Sequence, residues 1–196
     1  MSEEQRVNEA RAFLYRLAKS FFVPEPDEER LRVFREVLAK LPAVDFEPFD
    51  RAVENLREAL SRTSAKEMEE EFFRLFLDPF AEDRVALEAS AYLDGKPFGP
   101  SLARLRGFLA KEGLTKGEEV KEPEDHVVLL LDFMEALIGD GKDLISQREL
   151  FYNYLRPCVA GVAKSLREKE AGLFQAVADF LEGLLALEER FLSEEA

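Results

Sequence analysis

The sequence predicts an all-α protein, a single-domain helical bundle of eight or nine helices spanning residues 1–196. Three observations lead there. Apolar residues recur at three- and four-residue steps along most of the chain, the signature of amphipathic helices. No alternation of apolar and polar residues persists over five residues, so strands are not expected. Hydrophobic residues make up 46% and charged residues 35%, a globular composition. A chain of this size can bury about 70% of its extended surface, enough for a core without covalent staples.

The elements follow in order. Val7, Ala10, Phe13, Leu14, Leu17 and Phe21 share one helical face, giving a helix over about 4–22 that Pro24 and Pro26 stop. Asp27 caps a second helix reaching about Lys40, and Pro42 to Pro48 form a connection. Phe49 to Leu60 are helical again. Ser64 and Glu67 fit a capping box, and the helix after it carries Phe72, Phe73, Leu75 and Phe76 and ends before Pro79. Residues 78–99 hold the Asp94-Gly95 turn signal and no periodic run, so they are expected to be irregular. Gly95 is expected to adopt a positive φ. Pro100 opens a helix to about Glu112, which Gly113 and Gly117 end, leaving a loop over about 113–122. Pro123 opens the next, expected to run to Ile138 and to break at Gly139 and Gly141. Residues 143–156 are helical with Pro157 as a kink or restart, and the last helix covers about 172–192.

Several function classes lose support from composition. The single cysteine, Cys158, permits no intrachain disulfide and points to a reducing, cytoplasmic setting. Met1 to Arg11 is polar and charged, so no secretory signal is expected there, and the longest apolar run, Val127 to Leu131, is too short to span a membrane. The 41 acidic and 27 basic residues give a net charge of −14, a poor surface for nucleic acid but an attractive one for a basic peptide. The one histidine, His126, leaves no paired histidine for a di-iron site, and a zinc site on His126 and Cys158 would need two carboxylates that no ligand spacing supplies. No phosphate-binding glycine motif is present. No metal or cofactor is therefore expected. Cys158 reads as a small buried hydrophobe.

What remains is concentrated in Glu122-Pro123-Glu124-Asp125-His126. Two readings stand. The acids can complement the dipole at a helix start opened by Pro123, with His126 an incidental neighbour held near neutrality. Alternatively, Asp125 and His126 face a groove and hydrogen-bond a ligand. Phe72, Phe73, Leu75, Phe76 and Phe80 form an aromatic stripe that suits a core but runs into the irregular segment, where Tyr92 offers an apolar ring with a polar tip.

The ordered motifs resemble those of the TorD/DmsD/NarJ family of redox-enzyme maturation chaperones, and within it the TorD/DmsD branch. Arg11 to Pro24 (RAFLYRLAKSFFVP) resembles the family's opening helix, and Glu71 to Pro79 (EFFRLFLDP) its aromatic-x-x-Leu-Phe element. Glu88 to Leu102 (EASAYLDGKPFGPSL) resembles its Glu-x-Ser-x-Tyr turn and Gly-Pro-Ser. Glu122 to His126 resembles its Glu-Pro-x-Asp-His signature, followed by Gln147 and Phe151. One departure is Cys158, where members often carry Trp. The resemblance implies an all-helical cytoplasmic chaperone that is not an enzyme. Its partners would be the leader peptide, with a twin-arginine motif, and the catalytic subunit of a molybdopterin oxidoreductase. It would assist cofactor insertion, without nucleic acid or stable membrane insertion, and a monomer–dimer equilibrium is compatible with it. By position it makes Tyr92, Gly99, Asp125 and His126 peptide-binding candidates framed by Glu122 and Pro123, with Leu75, Phe76 and Phe80 as apolar walls. The competing readings are an acidic helical adaptor without a groove and an enzyme using His126 and Asp125 as an acid–base pair.

Overall fold

The structure, a computed structural model, describes residues 2–82, 84–169 and 172–194. It is all-helical: α1 (Glu3–Ser20), α2 (Glu28–Lys40), α3 (Glu47–Arg62), α4 (Ala65–Phe72), α5 (Ala89–Leu93), α6 (Pro100–Glu112), α7 (Val127–Gly139), α8 (Leu144–Leu150), α9 (Arg156–Arg167) and α10 (Gly172–Glu194). One π-helical turn (Phe73–Leu77) prolongs α4, and a second (Phe151–Leu155) joins α8 to α9 without a break. Nine continuous helices result among the described residues, as the periodicity predicts. The only pairing of extended backbone among them is one isolated antiparallel bridge between Glu88 and His126. No helix among them is long and apolar enough to cross a membrane.

Local chemistry sets most boundaries where the sequence puts them. Asp27 accepts from the Arg30 amide to cap α2, and Ser64 and Glu67 form the reciprocal capping box at α4. Gly113 ends α6 at φ 74°, a left-handed value that glycine meets without strain. Four boundaries differ. Pro48 lies inside the first turn of α3 rather than before it, since its missing N–H costs nothing there. A short helix, α5, occupies part of the segment expected to be irregular, of which Asp83 lies outside the described residues. Helix α7 starts four residues after Pro123. Pro123 instead opens a turn closed by the His126 amide on its carbonyl at 2.9 Å, and the bridge to Glu88 keeps His126 extended. Lastly, the helix expected over 143–156 runs on through Pro157 without a restart. The π turn widens the backbone just ahead of the proline ring, and α9 continues to Arg167.

The chain forms two compact units, each assembled from two separated stretches: Met1–Phe22 with Leu87–Gly161, and Val23–Ala86 with Val162–Ala196. In the first, α7 is the central helix. Eight of its thirteen residues are buried, and α1 packs along it. Arg16 pairs with Glu135 at 2.5 Å and Lys19 with Asp132 across the α1–α7 rim. Buried Arg11 donates to Gln147 at 2.8 Å.

In the second unit α3 packs on α10 and α2 on α3. Gly183 permits the approach of α10: a Cβ there would stand 3.1 Å from the Phe49 Cα and 3.3 Å from the Pro48 carbonyl. Phe49 meets Phe180, while Phe72, Phe76 and Phe174 stack edge to face or tilted. Three side chains cap helices to which they do not belong. Arg35 of α2 donates to the Leu60 and Thr63 carbonyls ending α3, and Arg57 of α3 donates to the Leu38 and Leu41 carbonyls ending α2. The Glu71 carboxylate accepts from the Leu173 and Phe174 amides opening α10.

Candidate functional site

The Glu88–Ser101 and Glu122–His126 segments, far apart in sequence, are clamped together in the first unit. Their backbones exchange two hydrogen bonds across the bridge, Ala89 N to Asp125 O at 2.8 Å and Val127 N to Leu87 O at 2.7 Å. Asp125, 1% exposed, then reaches across: its Oδ2 accepts from the Ser90 amide at 2.8 Å. It thereby caps α5, which has no cap of its own. Asp125 Oδ1 is buried without a hydrogen-bond partner.

The chain of contacts continues outward. Ser90 Oγ accepts from the Phe98 amide at 3.0 Å. Phe98 sits at φ 58°, a left-handed conformation that costs a residue bearing a Cβ roughly 1–2 kcal/mol. Asp94 accepts from both the Ser101 amide at 2.9 Å and its hydroxyl at 2.5 Å, which holds the Asp94 carboxyl below its usual range. Gly99 leaves room for Asp94, since a Cβ there would collide with that carboxylate. Gly95 takes φ 72°, as expected. The Tyr92 ring lies against bare Gly161, where a Cβ would stand 2.4 Å from it.

His126 is the N-cap of α7, its Nδ1 accepting from the Val128 amide at 3.3 Å, which leaves the ring proton of the neutral form on Nε2. Burial lowers its pKa below 6.5, against the opposing pull of Glu88, Glu122 and Asp125. The acids do not serve the α7 dipole: none lies in its first turn. That corrects the helix-start reading of this segment, and the displaced start of α7 is the reason. Instead Glu124 pairs with Arg106 at 2.8 Å, and the Glu122 carbonyl accepts from Lys116. Burial raises the Glu124 pKa, but Arg106 outweighs it and the net shift is downward. Cys158 is wholly buried beside the Leu87 carbonyl. Burial, reinforced by Asp125 and Glu88, pushes its thiol well above the ordinary value, which disfavours the thiolate.

Of the sequence-selected residues, Tyr92, Gly99, Glu122, Pro123, Asp125 and His126 therefore share one unit. Tyr92, Pro123 and His126 are half-buried, and Glu122 is exposed. Leu75, Phe76 and Phe80 belong to the other unit. Leu75 and Phe76 are core side chains there, whereas Phe80 is 90% exposed. The sequence reading names Asp94 as a turn signal and Ser90 within Glu-x-Ser-x-Tyr but does not select them as the acceptors of the cluster. Their i,i+4 spacing is the available signal. The exposed Phe98 lies in the same segment and is likewise not selected.

Chemically, the arrangement orients backbone rather than protons. Asp125 bonds to Ser90 and His126 to Val128, so the two form no acid–base dyad. No group of three His, Cys, Asp or Glu residues among the described ones could hold a metal. A surface crevice of about 400 Å³ lies in the second unit, lined by Arg51, Asn55, Arg167, Asp179 and Glu182 among others, and none of the sequence-selected residues lines it.

Comparison with known proteins gives concordant results. Residues 45–187 match the family model described as nitrate reductase delta subunit. The chain is 26% identical to the chaperone protein TorD of Vibrio parahaemolyticus over 98% of this chain and 99% of that protein. It is 31% identical to the TorD of Vibrio vulnificus over 76% and 74% respectively. The crystal structure of a putative redox enzyme maturation protein from Archaeoglobus fulgidus superposes with a TM-score of 0.55 at 20% identity, covering 91% of this chain and 93% of that one, and so shares the fold.

Proposed function

We propose that this chain, which belongs to the nitrate reductase delta subunit family and is a redox-enzyme maturation chaperone of TorD type rather than an enzyme, binds the N-terminal leader of a molybdopterin oxidoreductase catalytic subunit in the cytoplasm. It holds that leader, which carries an arginine pair followed by an apolar stretch, while the molybdenum cofactor is inserted. The observation that carries this reading is an apolar surface on an acidic unit. Phe80, with Phe73 (52% exposed) and Leu77 (45% exposed), projects from the π turn and the bend after it. The unit bearing them holds 25 acidic and 14 basic residues, against 16 and 13 in the other. A segment with basic and apolar side chains is its natural complement.

Magnitudes rank the contacts. An exposed ion pair contributes about 0–1 kcal/mol, whereas burying one leucine-sized side chain contributes about 1.5–3 kcal/mol. The apolar part of the leader therefore supplies most of the affinity. In this reading Phe80 touches the leader and Leu75 and Phe76 support that surface from within its own unit, while Tyr92, Gly99, Glu122, Pro123, Asp125 and His126 are the leader-binding candidates of the first unit taken by itself. Calorimetry with leader peptides tests it. Changing the leader's apolar residues to serine should cost at least tenfold in affinity, and changing its two arginines to glutamine less. The reverse order would sink the assignment.

A further inference from the structure

Phe98 is an exposed ring on a constrained backbone. It is 72% exposed, so its side chain adds little to the core. Its left-handed φ is one that glycine would take without strain. Yet the backbone there is held from within, by the buried Ser90 hydroxyl on the Phe98 amide and by buried Asp125 on the Ser90 amide. Strain held by a buried relay and ending in an exposed ring is the pattern of a binding residue.

Building on the leader reading above, we infer that Phe98 receives an apolar side chain of the client leader, and that Ser90 and Asp125 are positioning residues that hold Phe98 out for it. The occupant follows from area and charge. The Phe98 ring offers at most the area that one phenylalanine presents, about 150–250 Å². A stable dimer needs about 800 Å² per partner, so a second copy of this chain is not what the ring fits. The segment 88–104 balances Glu88 and Asp94 against Lys96 and Arg104, so it offers the leader's arginines no net attraction, and the apolar stretch is what the ring suits. Asp125 thus contributes to binding without touching the peptide.

The test uses the full chain and a synthetic peptide carrying an arginine pair followed by a leucine-rich stretch, with affinity read by fluorescence anisotropy. Phe98→Ala should weaken binding about tenfold or more, and Phe98→Leu should restore most of it. Phe98→Gly should weaken binding equally while the melting temperature holds or rises by up to about 3 °C, because the backbone strain is relieved. Stability and binding moving in opposite directions separates contact from scaffold. Ser90→Ala should weaken binding, and the double variant with Phe98→Ala should lose no more than Phe98→Ala alone. Wild-type affinity in Phe98→Ala overturns this inference and leaves the leader reading standing. Losses that add in the double variant overturn the relay. A changed oligomeric state by light scattering with unchanged peptide affinity assigns Phe98 to self-association and overturns it too. Failure of the wild type to bind the peptide overturns both readings.

Discussion

Asp125 shows how a single side chain can look like a ligand group in sequence and serve as a brace in the fold. Its carboxylate lies inside the first unit and organises backbone 35 residues away in sequence. His126 beside it acts through neutrality. As the N-cap of α7 it must accept a hydrogen bond, and protonation would remove that acceptor and set a cation at a helix N-terminus. Its pKa in the folded chain lies below the ordinary 6.5 because it is buried, so the unfolded chain binds the proton more readily. Stability from this residue is fully present above about pH 6.5 and is lost as pH falls through the lower, folded value. Urea unfolding between pH 7 and 5 should show this slope, and His126→Asn, which keeps a capping side chain, should flatten it. Burial raises Glu71 in the folded state, which acts in the opposite sense, but it is common to both proteins and cancels in the comparison. At this scale the sequence marks Asp125 and His126 by crowding acids and the sole histidine into five residues. It cannot mark their partners. That Ser90 lies across from Asp125, or that Phe98 is left-handed, depends on a chain path no local pattern encodes.

The elements were legible wherever their ends are stated locally. Asp27, the Ser64–Glu67 box, Pro100 and Gly113 each mark a boundary within a few residues of the groups they satisfy. Legibility fails where the cap comes from elsewhere. Helix α5 depends on Asp125, and the start of α7 is moved by a bridge to Glu88. The first half of α9 passes through a proline because the preceding turn is π-helical. Packing between elements is equally hidden. Gly183 in the middle of α10 reads as a weak helix residue, costing about 1 kcal/mol against alanine, yet it is where α3 comes closest. Gly183→Leu should therefore destabilise the protein by about 1–3 kcal/mol despite the gain in helix propensity, lowering the thermal midpoint by several degrees in circular dichroism. An unchanged or raised midpoint would show that α10 has room there.

For the molecule as a whole, the acidity is unevenly distributed, and most of the excess lies on residues 23–86 and 162–196. Long-range attraction of this kind accelerates encounter more than it prolongs residence. Stopped-flow measurements with an arginine-bearing leader peptide should therefore show the association rate falling about tenfold or more between low and high salt, with the dissociation rate changing little. A dissociation rate that carries the salt dependence instead would place the arginines in a close, buried contact.

The pairing of α1 with α7 also governs how the protein is made. The apolar face of α1 is complete after about 20 residues of synthesis, but the helix that covers it begins at Val127. At about 5–20 residues per second, the nascent chain carries that face uncovered for roughly 5–20 s. Each unit must wait in this way, because each closes only when its second stretch has left the ribosome. A member of a chaperone family therefore passes through an interval of its own in which its first helix needs cover.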